Sequence, residues 1–157
     1  MKVGDLVIVA SLGEIKAYRA NPRTPEAEAG LKPSEVKLDF IRGINVVEAH
    51  KKLSDLITDT TGTVNKAGFL NRAASGEKHT LKDEIYKEAV KSVAEDIDLL
   101  IEEENKTKVF LSLPKTIVND VLPLIKNRDK IFRIVEKDLL KTDKNKLIDE
   151  FKPEILK

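Results

Sequence analysis

The sequence predicts an α/β protein in which helices pack on a mixed β-sheet. Short apolar, β-branched runs typical of buried strands occur near both ends of the chain, and in the second half they alternate with segments that repeat apolar residues at helical spacing. The 157 residues are enough to bury one real core. Because no internal repeat, low-complexity tract or composition break is visible, we predict a single domain spanning 1–157.

Composition excludes several classes of protein. The charged fraction is 35% and the hydrophobic fraction is 41%, which is neither a disordered nor a membrane-spanning composition. The net charge of +1 means that whole-protein electrostatics does not drive nucleic-acid binding, so a local patch would have to do so. With no cysteine, the chain has no disulfide, no thiol nucleophile and no thiolate metal site.

The N-terminal segment bears on location. Its apolar run, Leu6 to Ala10, lies between Asp5 and Glu14. That run is too short for the core of a signal peptide and far too short to cross a membrane. We therefore predict a cytoplasmic protein with no membrane partner.

The first half of the chain predicts three strands. "LVIVASL" (6–12) is a continuous apolar run, and the turn at Gly13-Glu14 joins it to "EIKAYRA" (14–20) as a hairpin. The proline-rich stretch 21–34 predicts a loop. "EVKLDFI" (35–41) alternates apolar and charged residues, as a half-exposed strand does, and 45–57 favours a short helix.

The second half predicts helices that alternate with strands. A helix starting at Thr80, with Asp83 three residues later, carries an apolar stripe toward the core and a mixed-charge face toward solvent. A strand follows, then a helix that Pro123 kinks or divides into two short helices, then a short strand and a terminal helix interrupted at Pro153. The order β-β-β-α-β-α-β-α is that of an RNase H-like mixed sheet of about five strands with helices packed on it. The predicted stripe consists of Tyr86, Val90, Val93, Ile97, Leu100 and Ile101.

The chemistry that this fold class invites is metal-dependent nuclease activity, which needs carboxylates on the central strands. Neither 6–12 nor 109–113 contains an acid, and Asp5 and Glu14 read more simply as turn and edge residues. With two histidines and no cysteine, a zinc site is also unexpected, and no G-x-S-x-G elbow is present. We expect no metal and no cofactor.

The stretch "DTTGTVNKAGFLNRAASGEKHTL" (59–81) predicts a long loop without hydrophobic period. Cations interleaved with an aromatic residue and glycines can contact an RNA backbone and stack on a base. The alternative is a solvated loop whose Phe69-Leu70 pair packs back on the core, and the residues alone favour that alternative. The candidate RNA- or ribosome-binding residues are Lys66, Phe69, Arg72, Lys78 and Lys82.

Several motifs in order resemble the bacterial family "protein required for attachment to host cells". They are "DTTGTVNKAG", "SGEKHTLKDEIYKEAVKSVAEDI", the strand-Pro-helix segment "KVFLSLPKTIVNDVL" and "IVEKDLLK". The resemblance spans most of the chain, and its specificity lies in the order and spacing of motifs that are individually weak. The family-motif positions it implies are Asp59, Gly62, Gly76, His79, Asp83, Glu88, Lys137 and Asp138.

That family is similar to the middle domain of archaeal and eukaryotic class-one peptide release factors, where a Gly-Gly-Gln tip precedes the long helix. Here the nearest match is Ser75-Gly76-Glu77, with one glycine and a carboxylate that ribosomal RNA phosphates disfavour. The resemblance therefore implies a non-catalytic, ribosome- or RNA-associated factor that uses 59–81 as a contact element. The alternatives are an adhesion- or stress-related factor that binds proteins and acts indirectly in attachment, and an ester or peptidyl-tRNA hydrolase that uses Glu77 or His79.

Overall fold

The computed structural model describes residues 1–45, 71–105 and 108–152, with the backbone alone over 71–80. Its strands are β1 (Leu6–Ala10), β2 (Glu14–Pro22), β3 (Val36–Asn45), β4 (Val109–Ser112) and β5 (Ile131–Val135). They form one mixed sheet in the order β3-β2-β1-β4-β5, in which β1, β4 and β5 are parallel to one another and β2 is antiparallel to both β1 and β3. The predicted α/β class is confirmed, whereas kinship to RNase H stays a prediction.

The helices are α1 (Pro25–Glu28), α2 (Asn71–Glu104), α3 (Val118–Val121) and α4 (Lys144–Glu150). The predicted interruption at Pro123 is confirmed in its second form, two short helices instead of one kinked helix. The helix α3 ends at Val121, and a 3₁₀ turn over Leu122–Leu124 follows it. The predicted loop 21–34 contains α1, because Thr24 accepts a hydrogen bond from the Ala27 N–H at 3.1 Å and Pro25 suits a first helical position.

One face of the sheet packs against α2 and the segment around α3. The predicted hairpin is confirmed, with Leu6 opposite Arg19 and Ala10 opposite Ile15. The predicted stripe of α2 is also buried, apart from Tyr86 at 37% exposure. The residues of this core cluster are Leu6, Ile8, Ala10, Ile15, Ala17, Val90, Val93, Ala94, Ile97, Leu100, Ile101, Val109, Leu111, Leu113, Ile117, Val118, Val121 and Ile125.

The opposite face packs against α4 and the chain that follows β5. The central strand β1 is buried on both faces, which explains why its sequence is apolar throughout instead of alternating. The residues of this second core cluster are Val7, Val9, Tyr18, Ala20, Val36, Leu38, Phe110, Leu139, Leu147 and Phe151.

The prediction of a loop over 59–81 is wrong for 71–81, where the backbone is helical. Thr80 has the residue type and spacing of a helix N-cap. A capping pattern is only a local preference, however, and here the residues on both sides of Thr80 are helical, so the helix continues through it. Ala73, Ala74 and Lys78 are good helix formers, and the single interior Gly76 costs only about 1 kcal/mol. Residues 59–70, the helix predicted over 45–57 beyond Asn45 and the interruption at Pro153 lie outside the described residues.

Candidate functional site

The residues predicted from 59–81 divide into two groups. Lys66, Phe69, Asp59 and Gly62 lie outside the described residues. The others lie on α2, so the structure places them on one helix instead of on a loop. These are Arg72, Gly76, Glu77, Lys78 and His79 in its backbone-only part, followed by the exposed Lys82, Asp83 and Glu88.

The described side chains of α2 lie in two different environments. From Ala89 to Ile101 the helix contributes repeatedly to the core. Among the side chains over 81–88, none is buried. Lys82 is exposed and forms no ion pair with the described part of the chain. Because Lys78 and Lys82 are four residues apart on a helix, they share one face.

The two candidate catalytic residues, Glu77 and His79, are two positions apart on the helical backbone of α2.

The motif residues after β5 act on local structure. The Lys137 carbonyl accepts a hydrogen bond from the buried Ser112 hydroxyl at 2.7 Å, and the Lys137 ammonium lies 2.9 Å from Glu150 Oε2. Asp138 Oδ1 accepts the Leu140 N–H at 3.3 Å. These contacts hold the chain after β5 against β4 and α4. None of these contacts involves Lys82 of α2.

The acids that flank β1 lie at its opposite ends, and Asp5 Oδ2 accepts the Lys2 N–H at 2.7 Å as a turn residue. In the part of the chain that the structure describes, no group of three or more His, Asp or Glu residues is placed to hold a metal ion.

A groove runs between α2 and the segment after β4. It contains two cavities of about 340 and 580 Å³, which share Lys87 and Leu124. The Tyr86 hydroxyl donates a 2.5 Å hydrogen bond to Asp120 Oδ2, and this bond raises the pKa of Tyr86. Leu99 and Leu124 are also exposed along it. Sequence reasoning assigned Tyr86 to the core. Helical spacing shows which residues share a face, but it does not show where along the helix that face stops packing against the sheet.

Sequence reasoning missed a second surface, at the edge strand β5. Phe132 is 56% exposed there, with the Lys108 ammonium 4.7 Å from the centre of its ring. The sequence signal was "KNRDKIFR" (126–133), in which cations alternate with other residues around one aromatic.

The sequence model of a family described as "Protein required for attachment to host cells" matches residues 6–150. No curated protein and no solved structure matches the chain significantly. None of the helices in the described ranges is both long enough and apolar enough to cross a membrane. Because the family match takes in the sheet and the helices that the described residues form, the chain belongs to the family of proteins required for attachment to host cells.

Proposed function

We propose that this protein is a non-catalytic cytoplasmic factor that associates with ribosomal RNA through the N-terminal half of α2 and the residues that precede it. The observation that carries the proposal is an exposed lysine, Lys82, on a stretch of α2 that buries no side chain. No side chain over 81–88 is buried, and Lys82 lies free of acidic partners within the described residues. Lys82 and Lys87 stand among Asp83, Glu84 and Glu88, so the segment 81–88 is not cationic as a whole. The exposed Lys82, together with Arg72 and Lys78 on the same helix, is the group that suits a polyanionic partner.

The resemblance to release factors supports the same proposal by position. The segment between β3 and the long helix corresponds to the place where release factors carry their Gly-Gly-Gln tip. Here Ser75-Gly76-Glu77 has helical backbone, and one glycine instead of two. The glycines of a release-factor tip give it a flexible backbone, which a helical backbone lacks. We therefore propose that the N-terminal half of α2 binds RNA and does not catalyse hydrolysis.

Sedimentation of cell lysate on a sucrose gradient tests the proposal in growing and starved cells. The wild-type protein is expected to migrate with ribosomal particles, and the triple variant Arg72→Ala, Lys78→Ala, Lys82→Ala to remain near the top. The matched control removes three exposed lysines elsewhere, Lys115, Lys144 and Lys146, and is expected to migrate like the wild type. Absence of wild-type protein from every ribosomal fraction would refute the proposal.

The groove along α2 favours a second candidate, a factor that binds proteins and acts indirectly in attachment. Its exposed Tyr86, Leu99 and Leu124 provide apolar contact area beside the charged Lys87. Affinity capture with and without RNase distinguishes the candidates. Protein partners that persist after RNase and are lost with Leu99→Ser, Leu124→Ser favour this second function, whereas partners released by RNase favour the first.

A further inference from the structure

The edge strand β5 contains a bulge that re-aims one aromatic side chain. Val109 pairs with Ile131 and Phe110 pairs with Arg133, which leaves Phe132 as an extra residue without a partner on β4. A bulge of this kind redirects a side chain and is frequent at sheet edges beside functional sites. Here it presents a ring that is 56% exposed.

Buried aromatic residues hold that ring in place. Phe110 is 2% exposed and meets Phe132 edge-on, with the ring centres 5.5 Å apart. Phe110 is supported in turn by Phe151 of the core, at 5.8 Å. The exposed ring is therefore attached to a rigid base, and it loses little conformational entropy when it contacts a ligand.

Cations surround the ring. The Lys108 ammonium lies 4.7 Å from its centre and the Arg133 guanidinium 5.9 Å from it. Lys108 and Lys130 directly precede Val109 and Ile131, which are paired at the starts of β4 and β5.

The cations of this surface outnumber the acid that stands among them. Within the described residues, Lys108, Arg128 and Lys130 form no ion pair, and Arg133 donates to the Phe151 carbonyl at 3.1 Å. Asp129 is the acid within the run 128–133, where it stands between Arg128 and Lys130. The local charge is therefore positive, although the net charge of the protein is only +1.

We propose that this surface, the β5 edge (Lys108, Arg128, Lys130, Phe132 and Arg133), binds single-stranded RNA, with backbone phosphates on the cations and a base against Phe132. A positive groove or edge combined with an aromatic platform is how proteins bind single strands without sequence preference. The β5 edge is separate from the α2 residues of the proposed function and does not depend on them. The competing explanation is that bulge and cations only prevent edge-to-edge strand pairing.

Fluorescence anisotropy with a labelled oligouridine, an oligothymidine of equal length and an RNA duplex tests the proposal. Phe132→Ala is expected to weaken oligouridine binding about tenfold, which is the loss of one stacked base. Phe132→Leu, which keeps apolar packing on Phe110, is expected to weaken it nearly as much. Lys108→Ala with Lys130→Ala is expected to lower the salt slope of log K by about 1.4, because each single-strand phosphate contact contributes about 0.7.

The matched control is Phe40→Ala, which removes an equally exposed ring, at 52%, from the opposite edge strand. It is expected to bind oligouridine like the wild type. Unchanged affinity in Phe132→Ala, equal loss in Phe40→Ala, or self-association of the Phe132 variant at unchanged affinity would each overturn the proposal. The two proposals fail separately, since α2 variants are scored by ribosome sedimentation and β5 variants by oligonucleotide affinity.

Discussion

The two edge strands of the sheet, β3 and β5, are built alike. Each contains a register shift, and each exposes a phenylalanine that rests edge-on against a buried aromatic ring. Phe40 meets Tyr18 with ring centres 5.8 Å apart, and Phe132 meets Phe110 at 5.5 Å. Burial and aromatic packing alone would make the two edges equally good candidates for contact with a ligand.

Their charges differ. On β3, the Arg42 guanidinium is 2.8 Å from Glu103 of α2, and Asp39 adds a carboxylate that Asn21 binds at 2.6 Å. At the β5 edge, the cations Lys108, Arg128 and Lys130 have no such partners in the described residues. The comparison teaches that an exposed ring becomes a candidate contact for a polyanion only where the surrounding charge is left unpaired.

The largest expected effect is a loss of stability when Asp98 is replaced, because Asp98 anchors the segment that leads into β5. Asp98 of α2 is 8% exposed, and its carboxylate accepts 2.9 Å hydrogen bonds from the Lys126 and Asn127 N–H groups and from the Asn127 side chain. Asp98→Ala is expected to lower the free energy of unfolding by about 2–3 kcal/mol, because it leaves these donors without acceptors. Urea denaturation measures the loss.

Amide hydrogen exchange of Asp98→Ala, measured residue by residue, tests whether Asp98 supports the β5 edge more than the β3 edge. Exchange is expected to accelerate over 126–135 while β3 keeps wild-type rates. Asp98→Asn, which retains one acceptor oxygen, serves as control and should fall between wild type and Asp98→Ala. Equal acceleration at both edges would show that Asp98 supports the whole sheet and not the β5 side.

An intermediate effect is expected from making β3 more like β5. Glu103→Gln removes the partner of Arg42. If unpaired charge decides which edge binds RNA, this variant gains affinity for oligouridine, roughly twofold at low salt, and loses the gain at high salt. Glu28→Gln, an exposed acid on α1, is the control for net charge and is expected to change affinity less. Equal gains in both variants would contradict the role of the β3 pair.

The smallest effect concerns Asp96, which lies on α2 near Arg42. Burial, and then the charge of Glu95, raise the pKa of Asp96 above its ordinary value of 3.8, while Arg42 opposes the shift. The ionised form is therefore disfavoured in the folded protein, so its contribution to stability is complete below pH 3.8 and is lost as pH rises through the raised pKa. Asp96→Asn is expected to raise the melting temperature slightly at pH 7 and not below pH 3.8. A gain that is equal at both pH values would contradict titration as its cause.

Particular elements show how far sequence reasoning reaches. The hairpin from β1 to β2, the buried stripe from Val90 to Ile101 and the break at Pro123 were predicted because each follows from local rules. Turn residues, helical spacing and the missing proline N–H all act within a few positions of the chain.

The failures have a shared cause. The start of α2 was misplaced because a good cap at Thr80 lost to a helix that continues through it. Tyr86 was assigned to the core, although it bonds to Asp120 across a groove. Sequence reasoning missed the β5 edge because a bulge is defined by the pairing of two strands. The sequence of β4 or of β5 alone does not reveal how the two strands pair.

The sequence by itself thus determined the fold class, the order of the five strands with the helices that follow β3, and the family, since these depend on local periodicity and motif order. Only the tertiary structure decided that α2 buries side chains from Ala89 onward but none over 81–88, and which of two similar edges keeps its cations unpaired within the described residues. The physical reason is that burial and charge pairing depend on residues far apart in the chain, as Arg42 and Glu103 are, or Lys108 and Phe132.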